Sequence, residues 1–249
     1  HYKDYPSDKI AFQLLNEPQY YEKEAQYNQF ILQAVNAIRK IDNDKTIIIS
    51  APRGSSLEGL QRLDRIDDKN IIYDFHFYEP YIITNQGIHR GFEKKMIRYF
   101  NNVPYPSNLV DKDANFYARN APNPAQAESE LKEYVNAKWN RAKIAERLKI
   151  AKEWADKNKV KVICGEFGVL RNHIDEKSRY NWIGDVRLSL ESYNIGWQIW
   201  DYSDLDGITK LEGLTTTDKI DGSVKFINPE NGKRIIESEA IKALGLIAN

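Results

Sequence analysis

Five short, largely apolar segments recur along this chain of 249 residues and alternate with longer stretches of helical periodicity. The five segments span residues 10–15, 46–50, 71–77, 160–164 and 195–200. Strands that alternate with helices are joined by crossover connections, and such connections build a parallel sheet. The alternation therefore predicts an α/β fold, either doubly wound or part of a (β/α)8 barrel.

The segments between the strands predict helices and one long irregular stretch. We expect a hairpin near 215–227 and helices near 27–41, 59–63, 92–99, 126–157 (in one or two pieces), 174–193 and 234–246. Residues from about 80 to 126 contain several prolines and many asparagines, and the stretch is too long for an ordinary connection. We interpret it as a functional insertion. No linker interrupts the chain, which predicts a single domain over residues 1–249.

Composition limits the classes of partner. Lys plus Arg and Asp plus Glu are both 36, so the formal net charge is zero and no net field draws the protein to nucleic acid or to a membrane. No apolar run approaches the roughly 20 residues that span a bilayer. Cys164 is the only cysteine, so no intramolecular disulfide can form. The 15 tyrosines and 5 tryptophans are either packing residues or flat surfaces for sugar rings.

Polar residues stand at the carboxyl ends of four predicted strands. They are Asn16-Glu17-Pro18, Asp74-Phe75-His76-Phe77-Tyr78-Glu79-Pro80, Gly165-Glu166-Phe167-Gly168 and Trp197-Gln198-Ile199-Trp200-Asp201-Tyr202. In a barrel all of these strand ends meet at one mouth, where catalytic residues are found. Glu17 and Glu166 are far apart in sequence, yet this topology could aim both at one point.

Two facing carboxyl groups are what the cleavage of a glycosidic bond requires. One protonates the leaving oxygen, and the other attacks the anomeric carbon or activates water; a separation of about 5 Å retains the anomeric configuration, and about 6.5–9.5 Å inverts it. His76 and Tyr78 are two residues apart, so they share a strand face and could donate hydrogen bonds to the nucleophile and the sugar. Trp200 would offer the sugar ring an apolar face. Taken singly, a solvated loop glutamate, a core histidine and a core tryptophan are the plainer explanations; only the ordered set favours a site.

With these motifs in this order, the chain resembles glycoside hydrolase family 5, the cellulase family of clan A. In that family Asn-Glu-Pro ends strand 4, a His-x-Tyr pair lies on strand 6, Gly-Glu-Phe-Gly often ends strand 7, and a tryptophan ends strand 8. The run HFYEPYIITNQG at 76–87 also looks like the stretch after strand 6 in bacterial endoglucanases of the family.

The resemblance implies a role for each matched residue. Glu17 would be the general acid/base and Glu166 the nucleophile. The residues expected to contact the substrate or orient the nucleophile are Asn16, His76, Tyr78 and Trp200. Asn16 would bind the hydroxyl next to the anomeric carbon, and Trp200 would form the floor of the subsite. The resemblance implies no metal and no cofactor.

The resemblance also implies that part of the barrel is missing. If Glu17 ends strand 4, this chain represents strands 4–8 of a (β/α)8 TIM barrel. Strands 1–3, with the arginine and histidine that the family carries on strands 2 and 3, would come from a preceding segment or from a separate chain or fragment. An independent five-stranded fold is the alternative.

The expected function is a retaining endo-β-1,4-glucanase of the cellulase type. The alternatives are a β-mannanase or an exo-β-glucanase of the same clan, and a non-catalytic carbohydrate-binding barrel. The expected partner is a β-linked polysaccharide or oligosaccharide, with no nucleic acid and no membrane. Because polymeric glucan lies outside the cell, we expect the protein to be secreted, extracellular or periplasmic.

Overall fold

The structure is a computed structural model that describes residues 5–6, 9–88, 95–203, 206–212, 215–218, 224–227 and 233–246. The chain divides into two units. The first comprises His1–Phe77, Arg147–Glu166 and Leu190–Gln198. The second comprises Tyr78–Glu146, Phe167–Ser189 and Ile199–Asn249.

Helices and strands alternate along the first part of the chain, as the sequence predicts. The helices are α1 (Glu24–Arg39), α2 (Pro52–Ser55), α3 (Leu57–Leu60), α4 (Tyr81–Thr84), α5 (Ala114–Tyr117), α6 (Pro124–Asn136), α7 (Arg141–Asn158), α8 (Glu176–Ser192) and α9 (Ser238–Ala243). The strands are β1 (Ala11–Gln13), β2 (Thr46–Ser50), β3 (Ile71–Phe77), β4 (Lys161–Phe167), β5 (Gly196–Trp197), β6 (Thr209–Leu211), β7 (Thr215–Asp218), β8 (Val224–Ile227) and β9 (Arg234–Ile236).

A five-stranded sheet forms the frame of the first unit, with its strands in the order β1-β2-β3-β4-β5. The pairs β1–β2, β2–β3 and β4–β5 are parallel. The α/β class and all five predicted strand positions are therefore confirmed. The first and last strands are shorter than predicted, while β4 continues through Phe167.

The buried core of this unit lies around β2 and α1. Ile47 and Ile49 alternate along β2 and are fully buried. Helix α1 presents a buried stripe at the spacing of a helix face, formed by Tyr27, Ile31 and Val35. The Tyr27 hydroxyl donates a hydrogen bond of 2.7 Å to the Ser50 carbonyl, which ties the helix to the end of β2.

Strand β1 differs from the prediction in its burial. The apolar run at 10–15 predicted a buried strand, whereas Ala11, Gln13 and Leu15 are exposed. Ala11 and Gln13 share one face of β1 because they are two residues apart, and Leu15 lies just beyond the strand. That face is not covered within the described part of the chain.

The second unit contains the predicted insertion, which is built from short elements. Over residues 80–126 the described chain forms α4, two 3-10 turns at Ile97–Tyr99 and Ser107–Leu109, α5, and the start of α6. The helix predicted at 92–99 is reduced to the first of these turns, and its residues 92–94 lie outside the described ranges. The helical stretch predicted at 126–157 is two helices, interrupted at Lys138, where φ is 54°.

The C-terminal prediction was partly wrong. The sequence predicted one helix over 234–246, but β9 occupies its first residues and pairs antiparallel with β6, and only α9 is helical. Two consecutive isoleucines favour a strand, and their pairing partner lies well before them in the chain. The predicted hairpin is confirmed by the antiparallel pairing of β7 with β8. No helix of the described ranges combines the length and the hydrophobicity needed to cross a membrane.

Burial in the first unit predicts a large difference between two isoleucine truncations. Ile47→Ala removes a side chain that is 0% exposed and should lower the free energy of unfolding by about 2–5 kcal/mol. Ile41→Ala removes one that is 80% exposed and should change it by less than about 0.5 kcal/mol. Urea denaturation of both variants measures the difference; equal losses would contradict the assigned core.

Candidate active site

The segment after β1 holds Glu17 in an uncommon backbone conformation. Its φ is 45°, in the left-handed region that residues other than glycine seldom adopt. The flanking carbonyls are fixed from β2 and the turn after it: Ser50 Oγ donates to the Leu15 carbonyl at 2.6 Å, and the Gly54 N–H donates to the Pro18 carbonyl at 3.1 Å. Backbone strain of this kind is concentrated at functional sites, where the surrounding structure maintains it.

His76 brings the two predicted catalytic glutamates together. Its Nδ1 atom lies 3.0 Å from Glu17 Oε1 and 3.3 Å from Glu166 Oε2. The His76 side chain is 3% exposed, that of Glu166 is 14% exposed, and that of Glu17 is 42% exposed. The ends of β1, β3 and β4 therefore meet within the first unit, as the strand-end motifs predicted.

A third carboxylate lies on the other side of the imidazole ring. His76 Nε2 lies 3.3 Å from Oδ2 of Asp74, which is 1% exposed. The same carboxylate oxygen accepts a hydrogen bond from Gln13 Nε2 at 3.3 Å and lies 3.1 Å from Ser50 Oγ, and Gln13 also donates to Ser50 Oγ at 2.9 Å. The one hydroxyl hydrogen of Ser50 can point to either the Asp74 carboxylate or the Leu15 carbonyl, and the Leu15 contact is the shorter. Side chains from three adjacent strands thus hold Asp74 beneath His76.

The sequence analysis gave no role to Asp74, which it noted only as part of a strand-end run, and it did not identify Ser50 or Gln13. A usable signal was present in β3, whose sequence is IIYDFHF. Asp74 and His76 are the only polar groups in that run apart from the Tyr73 hydroxyl, and their spacing of two puts them on the same face. A buried carboxylate requires a charged or hydrogen-bonding partner, so this spacing predicts the pair.

The three carboxylates change the proton affinity of His76. Burial lowers its pKa, but the hydrogen bonds to Asp74 and Glu17 and the charges of Asp74 and Glu166 outweigh burial and raise the pKa to about 9. His76 is therefore an imidazolium at neutral pH. Both ring nitrogens then carry protons, so Nε2–H can donate to Asp74 while Nδ1–H faces both glutamates.

Glu17, His76 and Glu166 also offer one potential metal-ligand atom each, all within 4.8 Å of one another. Metal binding would require His76 to give up a proton, so a cation and the imidazolium are mutually exclusive at this position.

Gly165 makes room for this cluster. A Cβ atom at that position would lie 2.1 Å from Asp74 Oδ1, far inside van der Waals contact. The first glycine of the Gly-Glu-Phe-Gly motif is thus explained by the close approach of the β4 backbone to the Asp74 carboxylate.

The remaining predicted residues lie as follows. Asn16 is exposed and directly precedes Glu17. Tyr78 and Trp200 belong to the second unit. The Tyr78 carbonyl accepts a hydrogen bond from Thr84 Oγ1 at 2.6 Å, and the Trp200 N–H donates to the Phe167 carbonyl at 2.9 Å. The Trp200 side chain is 48% exposed. The substrate-binding roles of these three residues stay predictions.

Most of the chain is similar to proteins of a known family. Residues 1–206 match the family model described as Cellulase (glycosyl hydrolase family 5). Endoglucanase C of Acetivibrio thermocellus is 35% identical over 199 residues, which cover 80% of this chain and 55% of that protein. Endoglucanase 3 of Fibrobacter succinogenes is 28% identical over 208 residues, covering 82% of this chain and 31% of that protein.

Solved structures give the same result. A hyperthermophilic endo-beta-1,4-glucanase in complex with substrate is 26% identical, with a TM-score of 0.67 over 98% of this chain and 61% of the other. The cellulose synthase subunit Z of Clostridioides difficile is also 26% identical, with a TM-score of 0.68 over 98% of this chain and 63% of the other. The chain belongs to glycoside hydrolase family 5. It spans slightly more than half the length of Endoglucanase C.

The pKa of His76 predicts how stability depends on pH. Because the folded-state pKa of about 9 exceeds the ordinary value of 6.5, the folded protein binds this proton more tightly than the unfolded chain does. The resulting stabilisation is fully present below pH 6.5 and is lost as the pH rises through 9. The stability difference between the wild type and His76→Gln, measured by urea unfolding from pH 5 to 10, should follow that curve. A difference independent of pH would contradict the ionised cluster.

The close approach at Gly165 predicts a second effect. Gly165→Ala should lower the free energy of unfolding by about 1–3 kcal/mol, because its methyl group displaces Asp74. Gly196→Ala in β5 is the matched control, since its Cβ would meet nothing closer than 3.8 Å. Thermal unfolding of the two variants measures both effects. Equal stability of the variants would show that Asp74 is not constrained by β4.

Proposed function

We propose that this chain carries the catalytic residues of a retaining glycoside hydrolase that cleaves β-1,4-glucan, of the endoglucanase type. The observation that carries the proposal is the convergence of Glu17 and Glu166 on one nitrogen of His76, with donor atoms of the three residues within 4.8 Å of one another. A carboxylate oxygen of one glutamate within 4.8 Å of an oxygen of the other favours the roughly 5 Å separation of retaining enzymes over the 6.5–9.5 Å of inverting ones.

In the proposed first step, Glu166 attacks the anomeric carbon while Glu17 protonates the leaving oxygen. The bond between the anomeric carbon and the leaving oxygen breaks, and an ester forms between the sugar and Glu166. In the second step Glu17, now a carboxylate, takes a proton from water as that water attacks the same carbon. The ester is released and both glutamates return to their starting states.

The positive charge of His76 would stabilise the negative charge as it shifts from Glu166 to Glu17 during the first step. Negative charge leaves Glu166 as the ester forms and appears on Glu17 as it gives up its proton. The His76 Nδ1 atom lies 3.3 Å from one carboxylate and 3.0 Å from the other, so one imidazolium can stabilise whichever is ionised. A fixed positive charge between the two groups needs little rearrangement when the charge shifts.

The substrate class is proposed from the relatives. Two of them are named endoglucanases, and a structural neighbour is an endo-beta-1,4-glucanase. We propose that Asn16 binds the hydroxyl beside the anomeric carbon, that Tyr78 assists the nucleophile, and that the exposed face of Trp200 supports the sugar ring. Because such a substrate is polymeric, we also propose that the protein acts outside the cytoplasm.

We further propose that β1–β5 correspond to strands 4–8 of a (β/α)8 barrel, with strands 1–3 supplied by polypeptide outside these 249 residues. Two observations support this. The chain covers 61% of a solved endo-beta-1,4-glucanase that it matches over 98% of its own length. Ala11 and Gln13 of β1 are exposed within the described chain, and so is the apolar Leu15 just after the strand.

Leaving-group chemistry separates the proposed roles of the two glutamates. In the protein completed with the proposed strands 1–3, Glu17→Ala should slow hydrolysis of cello-oligosaccharides by about 10²–10⁴-fold, while the first step on dinitrophenyl cellobioside should be nearly unaffected, because that leaving group needs no proton. Glu166→Ala should abolish turnover of both substrates. Glu146→Ala, at an exposed position, is the control. Retained cellulase activity in Glu166→Ala would overturn the assignment of the nucleophile. For the wild type, faster hydrolysis of mannan than of carboxymethylcellulose would favour the mannanase alternative.

The barrel proposal makes its own prediction. If the proposal is right, the 249-residue chain alone should have little activity, because the proposed strands 1–3, with the arginine and histidine that the family resemblance implies, would not be part of it. Fusion of the first three strand–helix units of a family 5 relative ahead of His1 should increase hydrolysis and bury the exposed face of β1. Full activity of the chain alone, measured on carboxymethylcellulose, would contradict the need for further strands.

A further inference from the structure

The second unit contains two adjoining cavities of about 480 and 420 Å³. Their shared wall consists of Tyr99, Asn101, Asn102 and Asn120. We call the pair of cavities the asparagine groove. None of the residues assigned to acid/base or nucleophilic chemistry lines it, so the groove is not explained by the proposed reaction.

Backbone hydrogen bonds fix the walls of the groove. The Asn101 N–H donates to the Tyr117 carbonyl at 2.8 Å, and the Asn102 N–H donates to the His173 carbonyl at 2.7 Å. Asn102 has φ of 58°, a conformation that asparagine tolerates better than most residues. Three separate segments of the chain are thereby tied together, which gives a shaped surface before any ligand arrives.

The polar groups of the groove suit a ligand rich in hydroxyls. An asparagine amide carries both donors and an acceptor, which is the pairing that a sugar hydroxyl needs. Asn101 Oδ1 lies 3.3 Å from His173 Nδ1, so that amide is already oriented by a neighbouring wall residue. Asn172, also in the lining, has a buried Nδ2 with no hydrogen-bond partner in the described chain. A rotation of that amide would give the unpaired donor to an incoming oxygen.

The charge of the groove points to an acidic substituent. Arg98 lies over the Tyr99 ring with its guanidinium carbon 5.0 Å from the ring centroid, and Arg119 lies over Phe116 at 5.3 Å. No aspartate or glutamate belongs to the described lining of either cavity. A guanidinium binds a carboxylate through two parallel hydrogen bonds, so two arginines without a lining carboxylate favour an anionic ligand.

We propose that the asparagine groove binds an oligosaccharide segment that carries a uronic acid. The amides would hold the sugar hydroxyls, and Arg119 would bind the uronic carboxylate. The choice of a glycan as the ligand class rests on the proposed function. The groove would direct the protein toward β-glycans with acidic branches.

The test is a calorimetric titration of the Glu166→Gln protein, in which turnover does not consume the ligand. The probes are xylotriose bearing a glucuronic acid, unsubstituted xylotriose and cellotriose. The acidic probe should bind at least about tenfold more tightly than either neutral probe at low salt. This advantage should decrease as salt is added, because screening weakens the charge contact.

Variants of Arg119 test whether this residue contacts the uronic carboxylate. Arg119→Ala should remove the advantage of the acidic probe, and Arg119→Lys should keep part of it, because the charge remains while the two-pronged geometry is lost. Arg65→Ala removes an exposed arginine of the first unit and should match the parent protein. Melting temperatures of all variants establish that each is folded.

Several outcomes would overturn the proposal. Equal affinities for the acidic and neutral probes, or no binding of any probe, would do so. An unchanged affinity for the acidic probe in Arg119→Ala would also contradict it. Displacement of the acidic probe by sulfate at equal concentration would show a simple anion site. Hydrolysis is not measured in this titration. A failure of the proposed function would appear in the wild-type cleavage assays and leave these affinities interpretable.

Discussion

A single imidazolium among three carboxylates is the interaction on which the candidate site depends. His76 is almost fully buried, and its proton would be costly to hold there without compensation. Asp74 provides that compensation from one side, while Glu17 and Glu166 provide it from the other. Without the Asp74 contact, burial would oppose the charge on His76, and the two glutamates would face each other with less positive charge to keep them close.

The parallel sheet positions these groups through contacts between its neighbouring strands. Ser50 ends β2 beside Asp74 in register, so its hydroxyl can reach both that carboxylate and the carbonyl of Leu15. The second contact fixes the chain immediately before Glu17. One serine therefore connects the support of His76 to the position of the proposed acid/base residue.

Much of this could be predicted from the sequence, for identifiable reasons. The apolar runs at 46–50 and 71–77 gave the exact extents of β2 and β3, because continuous burial is typical of central parallel strands. The motifs at Glu17, His76 and Glu166 identified the converging residues, because strand polarity alone brings carboxyl ends to one edge. Family membership follows from the same motifs and from the match over residues 1–206.

Other features depended on contacts that a linear pattern does not show. The support of His76 by Gln13 and Ser50 arises between strands, and neither residue is distinctive by itself. Strand β9 forms because β6 is available to pair with it, which overrides the helical appearance of the last residues. The exposure of Leu15 depends on what covers β1, and the composition of the strand carries no information about that.

The most direct test of the account is an NMR titration of the histidine rings in isotopically labelled protein, with the His76 signal assigned by its absence in His76→Gln. The account predicts that His76 titrates near pH 9, and that Asp74→Asn moves this titration to lower pH. Titration of His76 at or below its ordinary value of 6.5 would contradict the central claim that one buried imidazolium organises the two glutamates.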